Sequence, residues 1–276
     1  MGIRYLTKEY KPFLRWAGGK TWLYKLLDNN TLPNFNNYHE PFLGGGAIFF
    51  KIGATKNSFL SDLNEDLINT YSVIKNDVYD LIHILIDYQN NKDFYYKIRE
   101  FEPSSDVEKA ARFFFLNQTS FNGIYRVNLK GKYNVPYGFR NKNFLDKELL
   151  IETSEALQMS NLFVSDFNII KDNLRSDDLI FLDPPYTVSH NNNGFVKYNE
   201  KIFSLEDQYR LNELIKFIKD KGAYYILTNA AHVKIDEIFT NIDYKLEVKR
   251  ASLIGGVNAF RGNTSEYLFS NIDLRQ

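Results

Sequence analysis

The chain has 276 residues, 44% of them hydrophobic and 25% charged, a balance that fits a folded globular protein and excludes a disordered tail or a fibrous repeat. It has no cysteine, which removes disulfide frameworks, thiolate zinc sites and cysteine nucleophiles from consideration. The 34 Lys and Arg are matched by 34 Asp and Glu, and a net charge of zero argues, on its face, against a nucleic-acid partner.

The opening residues MGIRYLTKEYKPF lack the apolar core of a signal peptide, and Leu6 stands where myristoylation needs Ser or Thr. The longest apolar runs, 81–86 and 111–116, are far shorter than the roughly 18 residues of a membrane span. A soluble, cytoplasmic protein with no membrane association is the expectation. In chain order, a first helix is expected over 20–28 and a short buried strand over 38–42. Gly44, Gly45 and Gly46 follow as a turn, then a helical stretch AIFFKIGA. A second strand over 57–62 ends in an acid and leads into a helix from Asn64. This order is half of a doubly wound sheet.

From 77 to 119 the apolar spacing is helical. A strand-like pair is expected at 124–128 and 133–135, with Gly131 as the turn, and a further helix at 147–159. The α/β rhythm then resumes. Strands are expected at 161–167 and 178–182, a long amphipathic helix at 205–221, a strand at 223–229, a short helix near Val233, and final strands at 244–249 and 265–270. Asn191, Asn192 and Asn193 mark a loop. One α/β domain built from both ends, 1–72 and 160–276, with a helical and hairpin insertion at 73–159, is the simplest parse.

Two glycine motifs are decoys. Gly18-Gly19-Lys20-Thr21 ends like a P-loop, but Leu14 occupies the position of its first glycine and no strand precedes it. Gly44 to Gly46 begins like a dinucleotide fingerprint, but Phe49 replaces the third glycine. The four histidines (His39, His83, His190, His232) lack metal-ligand spacing, and no metal is expected.

The strongest signal is Asp183-Pro184-Pro185-Tyr186, directly after the apolar strand LIFL. With 7 prolines and 19 tyrosines in the chain, such a run is expected on the order of 10⁻³ times in a shuffled sequence. Two prolines also make a rigid exit from a strand, the purely structural alternative. The chemical reading is more specific. A carboxylate and a proline carbonyl both accept hydrogen bonds, so together they can hold an exocyclic amino group. Its nitrogen lone pair is then aimed at an electrophile such as a sulfonium methyl, and positioning supplies most of the catalysis. Tyr186 offers an aromatic face for an unstacked base.

These residues and five further segments resemble the Dam-type DNA adenine-N6 methyltransferases, the α-group of the D12 class. The segments are FLRWAGGK, EPFLGGGAIFF, SDLNEDLINTY, SFNGIYRVN and YNVPYG, in the family's order ahead of FLDPPY. The resemblance implies a Rossmann-like methyltransferase fold with a mixed seven-stranded sheet and an inserted target-recognition domain. It implies S-adenosylmethionine as cofactor, S-adenosylhomocysteine as product, and Asp183, Pro184, Pro185 and Tyr186 as the catalytic residues. Trp16, Lys20, Glu40, Phe42, Gly44, Gly45, Gly46, Asp62, Asp166, Phe167 and Asp183 are the implied cofactor residues. Among them Asp62 would accept from ribose hydroxyls and Asp166-Phe167 would border the adenine. Considered singly, Trp16 and Phe167 could instead be core aromatics, Lys20 a surface charge and Asp62 a helix cap.

The implied DNA contacts are Phe121, Asn122, Ile124, Arg126, Asn128, Lys130, Lys132, Pro136 and Arg140. Arg126 would read a guanine edge, Ile124 and Pro136 would meet a thymine methyl, and Phe121-Asn122 would fill the gap left by a flipped adenine. Phe121 stands where GATC-specific members can carry Tyr, a change that keeps stacking and drops a hydroxyl. Residues 121–147 hold six cations against Asp146, and residues 1–26 hold Arg4, Lys8, Lys11, Arg15, Lys20 and Lys25 against Glu9. Each segment therefore carries +5, and the neutral total conceals a basic surface balanced by an acidic remainder.

The reading is a site-specific methyltransferase acting on adenine N6 in double-stranded DNA, at GATC, by base flipping. A monomer is expected, bacterial or phage-encoded, with a restriction endonuclease as a candidate genetic partner. Methylation of RNA or of a protein amide, and a non-catalytic DNA-binding module on the same fold, are the alternatives.

Overall fold

The computed structural model describes residues 9–27, 31–128, 131–140, 142–186, 203–240, 242–251 and 263–275. Expectations that fall on Arg4, Lys8, Asp28, Lys130, His190 and Asn191 to Asn193 lie outside the described residues. Among those described, seven strands form a mixed sheet: β1 (Tyr38–Glu40), β2 (Ser58–Asp62), β3 (Ser160–Val164), β4 (Leu179–Leu182), β5 (Tyr224–Ala230), β6 (Tyr244–Ala251) and β7 (Asn263–Ser270). Their order is β3-β2-β1-β4-β5-β7-β6. The chain divides into two compact units, Met1–Thr21 with Leu43–Val164, and Trp22–Phe42 with Ser165–Gln276. No described helix is long and apolar enough to cross a membrane.

In the first unit β2 and β3 run parallel, with Asp62 opposite Val164. Four helices accompany them: α1 (Glu65–Ile86), α2 (Lys92–Glu100), α3 (Asp106–Thr119) and α4 (Lys147–Leu157). Their starts follow from local chemistry. Asn64, Asn91, Ser105 and Asp146 each accept a hydrogen bond from a first-turn backbone N–H, and Ser105 with Glu108 completes a capping box. α1 buries Leu67, Tyr71, Ile74, Val78, Leu81 and Leu85 along one face, at alternating spacings of four and three, and α3 and α4 pack against it. Asp77, at φ −133° and ψ 36°, breaks the helical dihedrals midway. α1 nevertheless runs as one element through residue 73, the point where the sequence suggested an insertion beginning.

In the second unit β4 lies parallel to both β1 and β5, while β7 is antiparallel to β5 and β6. All four residues of β4 are buried, as a continuous apolar run between two parallel neighbours requires. α5 (Leu205–Asp220) and α6 (Val233–Ile238) cover the sheet. Leu211, Leu214, Ile218 and Ile235 meet Ile180, Leu182, Tyr225, Leu227 and Phe269 in one core.

The structure departs from expectation at several elements. The helix expected at 20–28 is a single 3-10 turn, Thr21–Lys25. The stretch after the glycine turn widens into a π-helix over Phe49–Gly53, with Ala54 N donating to Phe49 O at 2.9 Å. A 3-10 helix, Phe167–Asp172, follows β3 where a longer strand was expected. The pair at 124–128 and 133–135 forms no regular ladder. It has one isolated bridge, Val127 opposite Tyr133, and a second joins Ser120 to Tyr137. The Tyr133 hydroxyl occupies the Ile124 carbonyl at 2.8 Å, and Pro136 has no N–H to extend the pairing.

A buried histidine–carboxylate contact braces the amino-terminal end of β4. His39 Nε2 lies 3.0 Å from Asp178 Oδ2, with both side chains fully buried. Asp178 also accepts from Arg175 N at 2.9 Å, Asn37 N at 3.1 Å and Asn37 Nδ2 at 2.7 Å. Burial pushes its carboxyl up, but the bonds from His39, Arg175 and Asn37 together hold it below the usual carboxylate range.

Candidate functional site

The first unit carries the glycine turn and the basic segment. A Cβ on Gly44 would lie 2.7 Å from Trp16 Nε1, and one on Gly45 would lie 2.8 Å from Trp16 Cβ. Gly44 also has φ +47°, so both space and backbone demand glycine there. The neighbour these glycines make room for is thus the Trp16 side chain. Trp16 in turn stacks on Tyr125, with ring centroids 6.1 Å apart and planes 21° from parallel. Its segment is fixed by Asn117, whose Oδ1 accepts from Arg15 N at 2.9 Å and whose Nδ2 donates to Arg15 O at 2.7 Å. Lys20 is 3% exposed, which rules out a solvated surface charge, and its Nζ donates to Gly18 O at 2.8 Å.

Asp62, at the carboxyl end of β2, accepts from Gly44 N and from Asn64 N, both at 3.0 Å. The cap of α1 is Asn64 and not Asp62. Desolvation raises the Asp62 carboxyl above its ordinary range, against the opposing pull of the Asn64, Gly44 and Leu63 N–H groups. A carboxylate has about four acceptor positions, so further donors can be taken on. The Tyr71 hydroxyl, from α1, donates to Gly44 O at 3.1 Å and holds the other side of the turn.

In the basic segment, exposure alternates. Tyr133, Val135 and Tyr137 are buried, whereas Lys132 and Pro136 are exposed and Asn134 is half-buried. On the other arm Phe121, Asn122, Arg126 and Asn128 are exposed, and Ile124 is half-buried. Asn122 adopts φ 54° in the turn Phe121–Gly123, and a Cβ on Gly123 would strike Arg15 Cβ at 2.5 Å. Arg126 Nε donates to Asn134 Oδ1 at 2.8 Å, which steadies the guanidinium. Half-buried Arg140 lies near enough to Arg15 to help depress that guanidinium's pKa, behind the larger effect of burial.

The second unit holds the rest. Asp183 follows β4, half-buried, and its Oδ1 accepts from Thr228 Oγ1 at 2.6 Å. Pro184 is buried, and Pro185 and Tyr186 are half-buried. Glu40, at the carboxyl end of β1, is buried and accepts from the Tyr38 hydroxyl at 2.7 Å. Phe42 stacks on Phe167 at 5.4 Å and meets Phe203 edge-on at 5.6 Å. Phe167 is buried beneath the Arg210 guanidinium, 4.8 Å from the ring centre. Arg210 also reaches Asp166 Oδ1 at 2.9 Å, and that oxygen caps the 3-10 turn through Asn168 N at 3.1 Å.

Several supporting residues escaped sequence reasoning. Tyr71 lies on the buried face of α1 and Asn117 is buried within α3. Arg210 sits on an amphipathic helix with no local signal. Thr228-Asn229, a polar pair ending an apolar strand, was a visible signal. Phe139 is 70% exposed at φ 53°, a conformation bulky side chains avoid.

Comparison with known proteins places these features in a family. The family model described as D12 class N6 adenine-specific DNA methyltransferase matches residues 16–252. A Type II methyltransferase of Lactococcus lactis subsp. cremoris, M1.LlaDCHI, is 33% identical over 273 residues, covering 95% of both chains. M.MjaIII of Methanocaldococcus jannaschii, also a Type II methyltransferase, is 37% identical over 249 residues, covering 82% of this chain and 86% of its own. The DNA adenine methylase of Escherichia coli K12 is 31% identical over 232 residues, covering 80% and 81%.

Proposed function

Because the chain belongs to the D12 class of N6 adenine-specific DNA methyltransferases, we propose that it methylates adenine within GATC in double-stranded DNA, on a base turned out of the helix. Adenine N6 is engaged in pairing inside a duplex, so the motif Asp183 to Tyr186 can reach it only when the base is flipped. Asp183 and the Pro184 carbonyl accept the two N6 hydrogens, and Tyr186 stacks on the ring. The nitrogen lone pair is thereby set toward the incoming methyl. S-adenosylmethionine, when bound, supplies that methyl as a sulfonium electrophile.

The residues present suit that cofactor. Asp62 is a desolvated carboxylate with room for hydroxyl donors, which would offset the burial that raises its pKa. Phe42 and Phe167 offer an apolar, aromatic surround, and Asp166 an adjacent acceptor. Trp16, Lys20, Glu40, Gly44, Gly45, Gly46 and Asp183 complete the proposed binding set.

The observation that carries the specificity is the exposed side of the segment 121–140. Phe121, Asn122, Arg126, Asn128, Lys132 and Pro136 stand out above buried Tyr133, Val135 and Tyr137. Arg126, steadied by Asn134, is assigned to a guanine edge through its two terminal nitrogens. Half-buried Ile124 is assigned to the thymine methyl with Pro136. Arg140, close to a second cation at Arg15, is assigned to backbone phosphate, which would relieve their mutual repulsion. On this reading residues 73–159 form the target-recognition region, and 1–72 with 160–276 the catalytic region. The Type II names of two relatives support a place beside a restriction endonuclease, and the cytoplasm of a bacterium or infected cell is the proposed location.

Arg126→Ala is expected to lose about 1–3 kcal/mol of discrimination for guanine at its position. Methylation rates on duplexes that differ only at that guanine check this. An unchanged preference would remove Arg126 from the readout.

A further inference from the structure

We propose that Thr228 is a positioning residue for Asp183, an inference that rests on Asp183 holding the target amino group. Thr228 sits near the carboxyl end of β5, one residue beyond Leu227, which lies opposite Leu182 of the parallel neighbour β4. That register sets its side chain against the first residue after β4. Its hydroxyl donates to Asp183 Oδ1 at 2.6 Å, while Leu182 O, the other acceptor in reach, is 3.5 Å away. The short contact to a charged acceptor takes the proton, since bonds to ionised groups are the stronger ones.

Thr228 is itself well fixed. It is fully buried on an interior strand, and β7 pairs it with Leu268 on the opposite side. The next residue, Asn229, points to the other face of the sheet and donates to the buried Gln208 Oε1 of α5 at 2.9 Å. Pro184 and Pro185, which follow Asp183, have no N–H to give. A side-chain bond to one carboxylate oxygen fixes the plane of the group, and hence the direction of the other oxygen. Catalysis by orientation depends on that direction. The β-branched side chain adds stiffness, having few rotamers to choose from.

The test is isosteric. Thr228→Val exchanges the hydroxyl for a methyl at nearly constant volume. Its kcat for adenine methylation is expected to fall by about tenfold, the scale of one hydrogen bond to a charged group, with KM for duplex and for S-adenosylmethionine unchanged. Thr228→Ser should recover most of the loss. If the valine protein melts early, Thr228→Ala against Thr228→Ser gives the same contrast, with the alanine protein the slower. A valine or alanine protein as fast as the parent, or a loss that appears in KM and is not recovered by serine, overturns the proposal. Asp183→Ala, assayed alongside, separates the two claims. If it is inactive while Thr228→Val runs at the parent rate, only the positioning role fails. If it is itself active, the reading beneath fails too.

Discussion

Asp183→Ala is expected to lower kcat for adenine methylation by about 10² to 10³-fold or more, the cost of removing one oriented polar group from a reacting centre. The target amine is a weak nucleophile whose lone pair is delocalised into the ring. Two acceptors on its hydrogens favour the geometry in which that lone pair is exposed. Alanine removes one acceptor and also leaves the Thr228 hydroxyl without its short partner. The fold should survive, because Asp183 is half-buried at a strand exit and contributes nothing to the apolar core behind β4. Single-turnover transfer from tritiated S-adenosylmethionine measures the effect directly, and circular dichroism confirms the fold. A rate near the parent's would sink the mechanism.

The largest expected effect on stability lies elsewhere. Asp178→Ala should destabilise the protein by about 2–4 kcal/mol, the scale of leaving a buried donor and its part-buried neighbours without their shared acceptor. It takes the acceptor from the fully buried His39 ring and from three part-buried N–H donors, of Arg175 and Asn37. For a chain of this size the melting temperature should drop on the order of 10 °C. The same carboxylate gives a pH dependence with a definite sign. Its folded pKa lies below the unfolded value, so its stabilisation is complete above the ordinary carboxylate pKa of about 4. That contribution is lost as pH falls from there through the lower, folded pKa. Thermal melts of the parent and of Asp178→Ala from pH 7 downward should converge in acid. Curves that stay parallel would remove the Asp178 carboxylate from the account.

Much of this architecture is legible in local sequence. LIFL before Asp183 is apolar enough to require burial on both faces, and it forms the central strand β4. Asn64, Ser105, Asp146 and Ser204 are cap-forming residues ahead of amphipathic runs, and each starts a helix. Spacing along the chain says nothing, however, about residues that meet from afar. His39 finds Asp178 across 139 positions, and Thr228 finds Asp183 across 45. β7 inserts between β5 and β6, an order that no periodicity encodes. The glycine turn shows the same limit. Its need for small residues was plain, but the side chain it accommodates, Trp16, comes from 28 residues before Gly44.

The segment 121–140 reads as a hairpin in sequence for a related reason. Alternation of Tyr133, Val135 and Tyr137 with exposed neighbours is a strand pattern, and the alternation is present. The pairing is not a ladder, because side chains have taken the backbone's partners: Tyr133 on Ile124 O, Asn128 Oδ1 on Lys132 N, and Tyr95 on Val135 O. Side-chain bonds of this kind leave the exposed residues on a braced surface with its own shape, not on a flat ribbon.

Base-resolution mapping of N6-methyladenine in DNA from a methylase-free host expressing this chain tests the central claim most directly. The account predicts methylated adenine on both strands at GATC, and none when the same host expresses Asp183→Ala. Genomic DNA free of N6-methyladenine despite abundant folded protein, or marks that persist in the Asp183→Ala strain, would contradict it.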